Sequence, residues 1–213
     1  MNYQDYENWG HFNKLKIKKG WKALDIGCGD GLEVFYLRSL GVDAYGMDNG
    51  SWGYPFLKEN FFIGDARFIP CKDEYFDLVL CLVTLQHIPE DKVVIQEINR
   101  VLKKGGKIII TVLNKFGITL KWLRITIRNL FGLKTGYAYF KAYTKRELMQ
   151  LLEESGFQIQ ESYTTRFIPY RLRKKRFGEV LIGILFWFER NILSKMPVIK
   201  DMGSKIVIIA EKI

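Results

Sequence analysis

The chain has 213 residues, of which 48% are hydrophobic and 26% charged. That balance fits one substantial folded core and excludes a disordered, low-complexity or collagen-like chain. The formal net charge is +10, and there are three cysteines and two histidines, an odd thiol count that excludes a closed disulfide framework and a histidine scarcity that argues against a metal site.

The opening residues, Met1-Asn2-Tyr3-Gln4-Asp5-Tyr6, are polar and acidic and do not form a secretory signal. Tyr3, Tyr6 and Trp9 are aromatic groups that could fold over a ligand or serve as ordinary packing. A short apolar run, Trp21 to Ile26, reads as a first buried strand. It leads into Gly27-Cys28-Gly29-Asp30-Gly31 and then Leu32-Glu33-Val34-Phe35-Tyr36-Leu37, with apolar residues at helical spacing. The glycines therefore sit where a strand turns sharply into a helix, and glycine permits both positive φ and close approach of a ligand to the backbone. The following helix offers unpaired N–H groups at its start. The spacing is G-x-G-x-G, and Leu32 stands where the dinucleotide fingerprint G-x-G-x-x-G has its third glycine. Asp25 precedes the loop. A carboxylate there would repel a pyrophosphate and suits an ammonium group. Cys28 lies in the loop, Cys81 at a strand end, and neither they nor Cys71 have C-x-x-C spacing, so all three read as reduced thiols of a cytoplasmic protein.

This loop resembles that of class I S-adenosylmethionine-dependent methyltransferases, and the next two strands extend the resemblance. Val42 to Asp48 reads as a second strand ending in an acid about twenty residues past the glycines, the offset at which a carboxylate accepts from both ribose hydroxyls. Asn60 to Ala66 reads as a short third strand ending in Gly64-Asp65-Ala66. In the resembled family an acid here takes the adenine amino group and the next backbone N–H meets a ring nitrogen. The resemblance thus implies S-adenosyl-L-methionine as cofactor. It implies Asp25, Gly27, Cys28, Gly29, Gly31, Asp48, Asn49, Asp65, Ala66 and Leu82 as the residues that bind it, with no metal.

The fourth strand is expected over Tyr75–Cys81, followed by Leu82-Val83-Thr84-Leu85-Gln86-His87-Ile88-Pro89. His87 is the candidate general base, because imidazole titrates near neutrality and the family places substrate-facing loops here. It could equally cap the next helix or pack against an aromatic ring. A helix over Asp91–Val101 is expected to end at Gly105-Gly106, in keeping with glycine beyond a helix terminus, before a fifth strand over Lys107–Val112. Thr144-Lys145-Arg146-Glu147 has the capping-box form and opens a helix through Glu154. Phe157–Tyr163 alternates as a sixth strand, and Lys205–Ala210 is the candidate seventh. The predicted architecture is α/β, a Rossmann-like doubly wound, mostly parallel seven-stranded sheet with an antiparallel edge strand and helical lid insertions. It is read as a single methyltransferase domain over 1–213 with insertions at 114–143 and 166–203.

The excess positive charge falls in those insertions. Lys121, Arg124 and Arg128 share one helical face. Arg171, Arg173, Lys174, Lys175 and Arg176 form a cluster ahead of an apolar helix candidate, Val180–Phe188. That run is too short to span a bilayer. It fits a lid packed on the core, an amphipathic element at an anionic membrane surface on the inner face, or, less well given its apolar excess, a nucleic-acid contact. The post-strand-four loop lacks the D/N/S-P-P-aromatic motif of amino-methylating DNA enzymes, and no Pro-Cys pair stands in a cytosine-methylating context. The remaining resemblance is to small-molecule, lipid or quinone methyltransferases acting by direct displacement. An aminopropyl-transferase-like enzyme and a non-catalytic module that binds the same cofactor are the alternatives; the first usually carries an acid in the loop where this chain has Thr84, Gln86 and His87.

Overall fold

The computed structural model describes residues 11–12, 14–50, 60–117, 139–165, 184, 187–188, 191–192, 195–197 and 199–213. Seven strands form one sheet: β1 (Lys22–Ile26), β2 (Asp43–Asp48), β3 (Phe61–Ile63), β4 (Phe76–Leu82), β5 (Leu102–Leu113), β6 (Phe157–Thr165) and β7 (Lys205–Lys212). Their spatial order is β3-β2-β1-β4-β5-β7-β6. β3, β2, β1, β4 and β5 pair in parallel, while β7 runs antiparallel to both β5 and β6. The sheet is therefore mostly parallel with an antiparallel pair at one side, and β6 is the outermost strand of that pair. Helices α1 (Leu32–Ser39), α2 (Asp91–Val101) and α3 (Lys145–Glu154) flank it.

Strand alternation divides the core. Leu24, Ile26, Val79, Cys81, Ile108 and Ile110 face α2 and α3, where Val94, Ile95, Ile98, Leu148 and Leu152 are buried. Ala23, Leu78, Leu80 and Ile109 face α1 and its Val34 and Leu37, with Phe12 and Leu15 beside them. α2 buries Val94, Ile95, Ile98 and Val101, an i, i+1, i+4, i+7 stripe, and each such side chain contributes about 1.5–3 kcal/mol relative to exposure. The expected capping box starts α3: the Glu147 N–H donates to Thr144 Oγ1 at 3.2 Å and the Thr144 N–H to Glu147 Oε2 at 2.8 Å. Those two bonds satisfy donors that a helix start otherwise leaves unpaired. The Thr144 N–H bond is also the main reason the Glu147 carboxyl lies below its usual range.

Two expectations are corrected. The third strand ends at Ile63, and Gly64 to Ala66 turn away, which leaves the Asp65 side chain in a loop. Gly105 and Gly106 do not cap α2, because Leu102 is already extended at φ −74°, ψ 139°. They lie inside β5, where Gly105 takes φ +71° and a register shift separates the Phe76 and Leu78 pairings. A Cβ on Gly106 would come within 2.7 Å of the Lys103 carbonyl oxygen, so the pair makes an irregularity in the strand rather than a helix stop.

Tyr3, Tyr6, Trp9, Lys121, Arg124, Arg128 and the Arg171–Arg176 cluster lie outside the described residues. Within the apolar run near the C-terminus, Ile184, Trp187 and Phe188 are described, and all three are helical.

Candidate active site

The strand order reverses between β1 and β4, since β2 and β3 lie to one side and β5 to the other. Ligands of such sheets bind at the carboxyl ends of the strands beside that reversal. A cavity of about 400 Å³ occupies this position, and its lining includes Gly27 after β1, Asp48 and Asn49 at the end of β2, Asp65 and Ala66 after β3, and Leu82, Thr84 and His87 at and beyond the end of β4. That volume lies within the range of small-ligand pockets, roughly 300–1,000 Å³.

The glycine turn is shaped by bonds to β2. The Gly27 and Cys28 N–H groups donate to the Met47 carbonyl at 2.7 and 3.1 Å. The Gly29 N–H donates to Asp48 Oδ2 at 3.0 Å, which ties the loop to the strand-end acid. Gly27 takes φ +70°, and a Cβ there would sit 2.2 Å from Thr84 Oγ1. Gly29 takes φ +51° with open space where its Cβ would be. The first glycine lets β1 and the β4 loop close together. The second leaves bare backbone, as a ligand-facing turn requires.

Asp25, Cys28, Gly29 and Gly31 are absent from the cavity lining. Asp25 is 3% exposed, and among the described residues its carboxylate accepts no hydrogen bond. Burial, then the charges of Glu33, Asp48 and Asp30, push it well above the usual carboxylate range. Cys28 is buried under the loop, close to the α-carbon of Gly46, where an added Cβ would lie 2.9 Å from its Sγ. Burial first, and Asp25 second, push its thiol up, so the side chain is inert packing. In a chain of net charge +10, the ground around the glycine turn is thus acidic. An uncompensated buried carboxylate favours a cationic ligand and disfavours a diphosphate. This fits the sulfonium and ammonium groups of S-adenosyl-L-methionine.

After β4 the backbone departs from ordinary geometry. Val83 has φ +63°, a conformation that costs a β-branched residue about 1–3 kcal/mol. It is held there because its N–H bonds both the carbonyl (2.8 Å) and the hydroxyl (3.0 Å) of Thr111. The kink brings Thr84 onto Gly27 and starts the short 3₁₀ turn Leu85–His87. Gln86 is buried, and its Oε1 accepts from the Leu113 N–H at 2.7 Å. Its amide nitrogen therefore faces His87 Nε2 at 3.2 Å. Donation by that amide makes Nε2 an acceptor and leaves the proton on Nδ1, which lies 3.4 Å from the Tyr139 carbonyl oxygen. The His87 ring also tilts against Phe140, with centroids 5.7 Å apart. The ring lines the cavity, and both nitrogens are engaged in this state.

Sequence reasoning did not single out Val83, Arg67 or Met47, which also line the cavity. Arg67 bonds the Asp65 carboxylate through Nε and Nη2 and reaches Glu90 Oε2 at 2.9 Å. The guanidinium and the Arg67 N–H hold Asp65 below the usual carboxylate range. The Arg67 residue sits two places after a recognised acid, a signal that could have marked it as a partner. Among the described residues no cluster of three or more potential ligands could hold a metal.

Residues 24–110 match a family model described as a methyltransferase domain. The chain is 31% identical over 159 residues to an uncharacterised protein of Methanocaldococcus jannaschii, covering 73% of this chain and 63% of that relative. It is 26% identical over 185 residues to a demethylmenaquinone methyltransferase of Staphylococcus aureus, covering 74% and 77%. A solved S-adenosylmethionine-dependent methyltransferase of Archaeoglobus fulgidus has the same fold, with TM-score 0.68, 20% identity and coverage of 99% and 95%.

Proposed function

We propose that this chain, which carries a class I S-adenosylmethionine-dependent methyltransferase domain, moves a methyl group to a small or lipid-like acceptor. The observation that carries the proposal is the Asp48–Gly29 bond at the switch point, set beside a buried carboxylate, Asp25, that accepts no hydrogen bond among the described residues. Asp48 would hold the ribose hydroxyls, with Asn49 next to it. Asp65 and the Ala66 N–H would hold the adenine, and Leu82 would pack against it. Gly27, Cys28, Gly29 and Gly31 supply the backbone turn for the amino-acid end, and Asp25 supplies negative field beneath it. When bound, the cofactor supplies an already activated methyl group on a sulfonium.

The chain's own task is then alignment and exclusion of water, for which well-oriented reactants gain roughly 7–11 kcal/mol. Ile88 and Pro89 line the cavity with Thr84, which packs on Gly27. His87 is the proposed proton acceptor where the substrate must lose a proton. To act, its Nε2 must exchange the Gln86 amide for the acceptor's hydrogen, so His87 is held ready by Gln86. The loop's Thr84 and His87, with Gln86 committed to the Leu113 N–H, favour methyl transfer over an aminopropyl transfer that wants an acid here. A labelled methyl donor incubated with the protein and a cell extract tests the assignment. Transfer of label into an extractable small or lipid product is expected; cofactor binding with no transfer would leave a non-catalytic binding module.

The lipid-like acceptor and contact with an anionic membrane surface belong together. Ile184, Trp187 and Phe188 are helical and 55%, 61% and 40% exposed, at i, i+3 and i+4, which puts them on one face. Ile192 continues that face one turn on, its N–H bonded to the Phe188 carbonyl at 2.9 Å. Apolar and aromatic residues on one face beside basic residues suit a bilayer interface. No helix among the described residues is long and apolar enough to cross a membrane. Flotation with anionic vesicles at low salt is expected to carry the protein up; protein that stays in the dense fraction would remove the membrane from the proposal.

A further inference from the structure

The acid proposed to read the adenine already accepts from three N–H groups of one residue, Arg67. Asp65 Oδ1 accepts from the Arg67 N–H at 2.9 Å and from Arg67 Nε at 3.0 Å. Its Oδ2 accepts from the same Nε at 3.0 Å and from Arg67 Nη2 at 2.6 Å. A carboxylate has about four lone-pair sites, and three Arg67 N–H groups bond it here, the Nε–H shared between the two oxygens. An exocyclic purine amine that bonds Oδ2 competes there with Nη2 and with the shared Nε–H. The guanidinium has somewhere to go, because Nη1 already bonds Glu90 Oε2 at 2.9 Å. Glu90 is the N-cap residue of α2 and offers no side-chain cap bond to that helix, so its carboxylate is available to take more of Arg67.

We propose that Arg67 is a built-in competitor for the adenine subsite, a residue that sets nucleoside affinity by capping Asp65 and that yields on binding by shifting toward Glu90. This deepens the assignment of Asp65 to the purine made above and rests on it. After the shift, Oδ1 keeps the Arg67 N–H and Oδ2 is released for the amine. The guanidinium is tethered two residues away, so it competes at high effective concentration. It also screens Asp65 and Glu90 from each other. Both ion pairs are about one-third to one-half exposed, so salt weakens them. Added salt should therefore favour entry of the nucleoside end.

The test is calorimetric titration of the full chain with S-adenosylhomocysteine and with adenosine, at low and high salt. Arg67→Met keeps the side chain's length and removes its charge and donors. The variant is expected to bind both ligands roughly 3- to 10-fold more tightly than the native chain, a change that adenosine alone must also show. Arg67→Gln, which retains a neutral donor, should give a smaller gain. Native affinity should rise with salt and that of Arg67→Met should not. Equal or weaker binding by both variants, with the native chain binding normally, would overturn the competitor role and make Arg67 part of the purine's own support. Failure of the native chain and both variants to bind either ligand would overturn the site assignment itself, and this inference with it.

Discussion

Asp25 makes a prediction with a definite sign. Its carboxyl is buried, has no hydrogen-bond donor among the described residues, and lies among Glu33, Asp48 and Asp30. Because burial raises its folded-state value above the unfolded one, folding favours the protonated form. Asp25 therefore does no harm below its unfolded pKa of about 4. As pH rises from there through the raised folded value, stability is lost, and the loss then stays constant. Asp25→Asn keeps the shape and removes the ionisation. An uncompensated buried polar group costs about 1–3 kcal/mol. Taking about 2 kcal/mol, and about 2–4 °C per kcal/mol for a chain of this length, Tm of the ligand-free variant should exceed the native value by about 4–8 °C at pH 8. The difference should vanish near pH 4. Added S-adenosyl-L-methionine should reverse the order, because a cation near the loop rewards the charged native residue, and the variant's affinity should fall about 10- to 100-fold, or roughly 1.4–2.8 kcal/mol. Scanning calorimetry across pH, with and without ligand, reads both effects. A variant that is less stable than the native chain at every pH would refute the reasoning, since it would mean the carboxylate is satisfied in the folded protein.

Gly27→Ala and Gly29→Ala should separate folding from binding. The first places a Cβ 2.2 Å from Thr84 Oγ1 at a positive φ, and overpacking plus left-handed strain should cost about 2–5 kcal/mol. The second meets nothing within 4 Å, so strain alone should cost about 1–2 kcal/mol while binding suffers more, because the added methyl occupies space above the turn; paired denaturation curves and ligand titrations distinguish them. Gln86→Leu strips the buried Leu113 N–H of its acceptor and should lower stability by about 1–3 kcal/mol. In the native chain the nitrogen chemical shifts of His87 should report the proton on Nδ1, and that preference should weaken in the variant.

Much of this was legible from residue order because it is local. Buried parallel strands read as apolar runs, and Thr144 and Glu147 reach each other within one helical turn, so their capping box could be written down from spacing. The acids Asp48 and Asp65 were legible because the first ends β2 and the second stands two residues past β3. What residue order hides is long-range. Val83 adopts a strained conformation because Thr111, twenty-eight positions away, takes its N–H. Gln86 stands in the loop after the fourth strand, yet it is buried on the Leu113 N–H. Gly105-Gly106 has the composition of a helix stop, but the pairing of β5 with β4 draws the chain into extended form as soon as α2 ends. The inward turn of Cys28 follows from the space beside Gly46, which appears only once β1 and β2 are paired.

The central claim is that the glycine turn and the Asp48 carboxylate together bind S-adenosyl-L-methionine. Isothermal titration of the native chain and of Asp48→Ala with S-adenosyl-L-methionine tests it most directly. The account predicts one site per chain in the native protein and at least tenfold weaker binding in the variant, which loses both the Gly29 bond and the proposed ribose acceptor. A native chain that shows no binding, or a variant that binds as tightly as the native chain, would contradict it.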